Sequence, residues 1–196
     1  MIRKKIQTSF PHHLNSCTTT SSSLYVADYT EKTKNDPIKR GTELFEESPP
    51  SDIDFFTVNN QNKLMIEGIP FDNNSFTYPN GNIASQCECV IYPNNSNRDS
   101  WILFLELKYS NKTKNNRYNL NKAKRQLFKT QYHYKSKKVF DKNNTCYLLA
   151  SLPMQTPPFV NSSFPPNYLL TMKKKHNVII RFQNLVEIID DKKIKV

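Results

Sequence analysis

Three residues of this 196-residue chain have the types and spacing to do chemistry together. Glu106 and Lys108 close the run Trp101-Ile102-Leu103-Phe104-Leu105, which is apolar on both faces, as in a central strand covered on both sides. Period-two alternation puts Ile102, Phe104, Glu106 and Lys108 on one face, so the acid and the amine are neighbours where the strand leaves the core. A carboxylate there is partly desolvated and needs a cation beside it. Glu88 is a second acid on an otherwise apolar strand, within Gln86-Cys87-Glu88-Cys89-Val90-Ile91-Tyr92. Alternation puts Cys87, Cys89 and Ile91 on one face and Glu88, Val90 and Tyr92 on the other. If the two strands pair through the loop Pro93 to Asp99, the carboxylates approach each other. Like charges at close range are held by a divalent cation, and Mg²⁺ (or Mn²⁺) binds through one or two carboxylates plus phosphate oxygens and water.

The surrounding elements must hold that pair. Asp36 before Pro37 is a helix start, with Ile38, Gly41 and Phe45 on one face up to Ser48. Asp54 to Val58 and Lys63 to Ile66 are β-prone runs, and Asn59 to Asn62 between them suggests a hairpin turn. Strands at Ser85 to Tyr92 and Ser100 to Tyr109 follow. Leu120, Ala123, Leu127 and Tyr134 then mark one face of a helix over Asn119 to Lys138. Cys146 to Leu149 reads as a buried strand, Pro153 to Pro166 as a proline-rich loop, and Asn177 to Ile189 as one or two terminal strands. Met1 to Asn35 is polar, with only Ser23 to Ala27 strand-like, and is expected to be an arm or peripheral layer. Residues 36–196 then form one domain, with a core at 36–152 and terminal strands at 177–190. The fold class is α/β, a mixed central sheet flanked by helices.

Composition narrows the function. The formal net charge is +11, and Lys108 to Lys138 holds eleven Lys or Arg and no acid, so this stretch accounts for the whole excess. A polyanionic partner fits that distribution better than the Lys- and Asn-rich bias of an AT-rich genome. Lys112, Lys114, Arg117, Lys122, Lys124, Arg125 and Lys129 are the candidate contacts, and Tyr118 and Tyr132 could stack on bases, while Tyr134 fits the core better. Only three glycines are present and none makes a phosphate loop, which argues against a nucleotide-hydrolysing motor. No histidine pairs with a Ser or Cys in a local nucleophile pattern. Cys87 and Cys89 lack the second ligand pair of a zinc site and fit a structural role better. His12, His13, His133 and His176 have no metal-ligand spacing and are expected at the surface. No apolar run is long enough for a membrane span, and the scattered cysteines suit a cytoplasmic setting.

Glu88, followed after a loop by Glu106-Leu107-Lys108, resembles the metal-binding acid and E-x-K element of the PD-(D/E)xK nuclease superfamily. The resemblance implies a restriction endonuclease-like core of helix, three strands, helix and strand. It also implies Mg²⁺ or Mn²⁺ held by Glu88, Glu106 and the Leu107 carbonyl, with Lys108 serving the attacking water and the phosphate. Gln126 on the following helix stands where related nucleases carry a Gln near the site. Among Glu43, Glu46 and Glu47 on the expected first helix, Glu47 is the favoured further metal ligand. Cys87 stands where the motif names a proline. The implied activity is hydrolysis of DNA, with RNA second, by an endonuclease or exonuclease, and a homodimer is compatible with it. The alternatives are a nuclease-like fold without cleavage, kept as a nucleic-acid-binding or assembly subunit, and a plain interaction protein.

Overall fold

The computed structural model describes residues 1–78, 80–159 and 164–196. Among these, the helices are α1 (Ile2–Ser9), α2 (Asn116–Ser136) and α3 (Pro166–His176). The strands are β1 (Thr18–Thr20), β2 (Leu24–Asp28), β3 (Thr42–Phe45), β4 (Phe56–Asn59), β5 (Ile66–Pro70), β6 (Cys89–Pro93), β7 (Ile102–Leu107), β8 (Cys146–Ser151), β9 (Val178–Phe182), β10 (Leu185–Ile188) and β11 (Ile194–Lys195). The fold is mixed α/β with two sheets. One runs β1-β5-β6-β7-β8-β9 and the other β11-β10-β4-β2-β3. No helix among the described residues is long and apolar enough to cross a membrane.

β7 is buried along its whole length because it lies between antiparallel β6 and parallel β8, with a layer over each face. Its even residues Ile102 and Phe104 enter a core with Ile2 and Ile6 of α1 and Leu120, Ala123, Leu127 and Tyr134 of α2. Its odd residues Leu103, Leu105 and Leu107 enter a second core with Leu24, Val26, Phe56 and Val58 of the other sheet. Helices therefore cover one face of the six-stranded sheet and the five-stranded sheet covers the other. A parallel β7–β8 pair needs a long crossover, and α2 is that crossover. It ends where Lys138 takes a left-handed conformation (φ 56°). The sheets close on each other at Gly68 of β5, where a Cβ would stand 2.6 Å from the Leu44 side chain of β3.

Several expectations are corrected. The N-terminal segment is not a peripheral arm: Ile2 and Ile6 are fully buried and β2 lies inside the second sheet. Asp36 to Ser48 is not a helix. Asp36 closes a turn onto Thr33, Ile38 is left 79% exposed, and Thr42–Phe45 is β3, paired with β2. Arg40 holds that turn by lying 3.4 Å over the Tyr29 ring and forking the Glu43 carboxylate. The run Asp54 to Val58 contains most of β4, but Lys63 to Met65 is not strand and β5 begins only at Ile66. The two are no hairpin, since β4 pairs with β2 and β10 while β5 pairs with β1 and β6. α3 starts inside the end of the segment read as a loop. The strands read near Ser85, Ser100, Cys146 and Asn177 and the helix near Asn119 are present with shifted ends. Part of the proline-rich loop, 160–163, lies outside the described residues, as does Pro79.

Candidate functional site

Glu88 sits one residue before β6, at a bend. Its N–H donates to the Leu105 carbonyl at 2.9 Å, but the preceding Cys87 N–H leaves the sheet and donates to Thr130 Oγ1 of α2 at 2.8 Å. The alternation breaks with the pairing: Cys87 joins Val90 and Tyr92 in the helix-side core, while Cys89 and Ile91 enter the inter-sheet core. The two cysteines thus do not share a face, contrary to the simple period-two reading. Glu88 and Cys89 stand against the single partner Leu105, the arrangement of a β-bulge, which re-aims a side chain at the end of a sheet.

The re-aimed carboxyl meets both sheets. Thr42, the first residue of β3, donates its hydroxyl to Glu88 Oε2 at 2.6 Å. Thr42 stands opposite Asp28 at the end of β2. Tyr109 fixes this corner: its hydroxyl accepts the Asp28 N–H at 3.0 Å and donates to the Asp54 carbonyl at 2.8 Å. Glu88 is half-buried as a residue, with its carboxyl turned inward. Burial first, and the negative charge of Asp28 second, push its pKa up to about 7, against the pull of the Thr42 hydrogen bond and Lys108.

Glu106 is fully buried. Its carboxyl is held well above the usual range, by burial first and by the charge of Glu88 second, while Lys108 opposes the shift. The backbone brings the two acids to neighbouring positions, since the Glu88 N–H is bonded to Leu105, the residue before Glu106. Glu106 Oε1 takes the Lys108 ammonium, which is 17% exposed and caps the site toward solvent. Glu106 Oε2 is buried with no hydrogen-bond partner. An orphaned oxygen of this kind costs about 1–3 kcal/mol or more unless a proton or a cation satisfies it.

The donor set is hard oxygen, which suits Mg²⁺ or Mn²⁺. Ladder parity extends it. Ile102 and Lys108 bond to Thr145 and Ser151 on the β8 side, and Leu105 accepts from Glu88 on the β6 side. The Leu107 carbonyl is therefore directed to the side that carries Glu88. Two carboxyls, one of them carrying the orphaned Oε2, and one backbone carbonyl fit a cation that keeps several waters. Among the described residues no group of three or more His, Cys, Asp or Glu is gathered for a metal ion.

The other sequence candidates separate. Gln126 does not reach the carboxyls: its Nε2 donates to the Gln86 carbonyl at 2.8 Å, holding the segment that leads into Glu88. Its Oε1 is buried without a partner. Glu47 is exposed, two residues beyond β3 and at the end of that strand away from Thr42, so it is not brought to the pair. Glu43 is bound to Arg40, and Glu46 is exposed. Lys112, Lys114, Arg117, Lys122 and Arg125 are exposed, whereas Lys124 and Lys129 are half-buried over the rings of Phe164 and Tyr78. Sequence reasoning missed Asp28, Thr42 and Thr130. An acid ending the apolar run Leu24 to Ala27 was a signal for the first, and nothing local marks the other two. It also misplaced His13, which is buried with Nδ1 2.9 Å from the Tyr134 hydroxyl and Nε2 2.8 Å from the Ser75 carbonyl. A cavity of about 610 Å³ between α3, β9 and the C-terminal residues includes neither acid among its lining residues.

Comparison with protein-family models, curated proteins and solved structures finds no match for this chain.

Proposed function

We propose that this chain is a divalent-metal-dependent nuclease that hydrolyses phosphodiester bonds of DNA, with RNA as the second choice. The observation that carries the reading is the placement of two inward-turned acids, Glu88 and Glu106, at the ends of adjacent strands, with Glu106 Oε2 orphaned and Lys108 at the mouth. A buried pair of like charges is unfavourable by itself, and a site that keeps one is a functional candidate. The resemblance to the PD-(D/E)xK superfamily gains support from the element order: α1, the antiparallel β5-β6-β7, α2 and the parallel β8 follow the helix, three strands, helix and strand of that core. The strands β1 to β4 are inserted between α1 and β5.

In this reading Glu88 and Glu106 hold the cation, and the Leu107 carbonyl lies on the same side. The bound metal would supply Lewis-acid polarisation of a phosphate oxygen and a lowered pKa for water. Lys108 leaves its ion pair with Glu106 to orient the attacking water and to offset charge on the phosphate as the phosphorus–oxygen bond breaks. Thr42 fixes the Glu88 carboxyl, and Gln126 and Thr130 fix the bulge, so all three are positioning residues. The experiment is incubation of plasmid, linear duplex and single-stranded substrates with Mg²⁺ or Mn²⁺, beside Glu106→Ala and Lys108→Ala. Cleavage that needs metal and is lost in both variants supports the reading, and cleavage persisting in both overturns it. The closed Lys108–Glu106 pair favours a second reading, a nuclease-like fold that binds nucleic acid without cutting. Metal-independent binding with no cleavage would select it.

A further inference from the structure

We infer that the outward face of α2 is a binding track for single-stranded nucleic acid. Tyr118, Lys122, Arg125, Lys129 and Tyr132 follow one another at spacings of four, three, four and three residues. At 3.6 residues per turn they fall within an arc of about 80°, opposite the stripe of Leu120, Ala123, Leu127 and Tyr134 that packs on the sheet. The line is about 21 Å long at 1.5 Å per residue. Its end rings are 72% and 67% exposed. The Tyr78 ring lies beside the line, 5.4 Å from the Lys129 ammonium.

A solvated helix face does not account for this pattern. α2 contains no Asp or Glu, so its cations at three- and four-residue spacing repel with no acid on the helix to offset them. Among the described residues none of Lys122, Arg125 and Lys129 has an ion-pair partner elsewhere. The array costs the isolated helix stability that a polyanion restores. Exposed rings at both ends add what phosphate contacts do not use, since a ring stacks on a base whose face is free, as in a single strand, while a duplex hides those faces.

The inference deepens the nuclease reading by naming a substrate class, and its test reads binding alone. Fluorescence anisotropy in EDTA compares a labelled oligothymidine of about 20 nucleotides, longer than the roughly 4–16 that single binding folds cover, with a duplex of equal length. The wild-type chain binds the single strand more tightly. Tyr118→Ala with Tyr132→Ala weakens single-strand binding at least tenfold, given about 5- to 150-fold per stacked ring, and leaves duplex binding nearly unchanged. The Tyr→Phe pair restores it, which separates stacking from any loss of folding. Lys122→Gln with Arg125→Gln lowers the slope of log affinity against log salt by about 1.4. Equal affinity for both substrates, or an unchanged Tyr→Ala pair, overturns the inference. Single-strand preference without cleavage in any metal refutes the nuclease reading alone, and cleavage without that preference refutes the track alone.

Discussion

Replacing Glu88 with glutamine should make the metal-free protein more stable at pH 8 while removing its response to metal. Burial and Asp28 raise the Glu88 pKa from the usual 4.5 to about 7. A carboxyl raised in this way favours the folded state below its unfolded pKa, and that contribution disappears as pH rises through the folded one. Between pH 4.5 and about 7 the wild type therefore loses up to about 3 kcal/mol, at 1.36 kcal/mol per pH unit. The amide has no charge to bury and still accepts the Thr42 hydroxyl hydrogen. For a chain of this length the gain corresponds to about 6–12 °C in Tm, at 2–4 °C per kcal/mol, as an upper figure. A cation that binds only the folded wild type recovers comparable stability, about 2.7 kcal/mol at a hundredfold excess over Kd. The assay is thermal unfolding of both proteins at pH 8, in EDTA and in Mn²⁺. A Glu88→Gln protein that melts below the wild type in EDTA, or gains as much from Mn²⁺, refutes the reasoning.

Other outcomes follow from the same contacts. His13 is buried neutral, with its pKa lowered to about 4 chiefly by desolvation. Folding therefore loses up to about 3 kcal/mol as pH falls from 6.5 to 4, over a window that overlaps the opposite effect of Glu88. In Glu88→Gln one opposing carboxyl is removed while Glu106 remains, so the acid loss should show as a urea midpoint that falls more steeply below pH 6.5 than in the wild type. Thr130→Val strips the Cys87 N–H of its acceptor and should cost about 1–3 kcal/mol in urea unfolding, with slower cleavage because the bulge loosens. Gly68→Val drives a side chain into Leu44 and should cost about 1–3 kcal/mol, read as a lower Tm. Asp28→Asn removes a negative charge that raises the Glu88 pKa, so the acid limb of the cleavage profile should move to lower pH.

What the sequence made legible was local. β7 could be read because five successive apolar residues need cover on both faces, and Glu106 and Lys108 follow from its alternation. α2 could be read because its buried residues keep helical spacing. Glu88 stood out as an acid in an apolar run, but its aim could not be read. The bulge depends on Thr130, 43 residues away, taking the Cys87 N–H. The second sheet was hidden for the same reason, since β4 pairs in parallel with β10, joining Thr57 to Leu185. At Asp36-Pro37 a strong helix-start signal lost to pairing of β3 with β2, because a helix there had only Ile38, Gly41 and Phe45 to bury. The start of α3 was marked by Pro166 at its first turn, a signal obscured by the surrounding prolines. α1 offered only Ile2 and Ile6, a four-residue spacing too short to separate from a polar arm.

The central claim is that the buried carboxyl pair is a metal site, and Mn²⁺ titration followed by electron paramagnetic resonance tests it most directly. The wild type should bind Mn²⁺ saturably, Glu88→Gln and Glu106→Gln should lose that binding, and Lys108→Ala should retain it. Wild-type binding that survives in both glutamine variants, or no saturable binding at all, would contradict it.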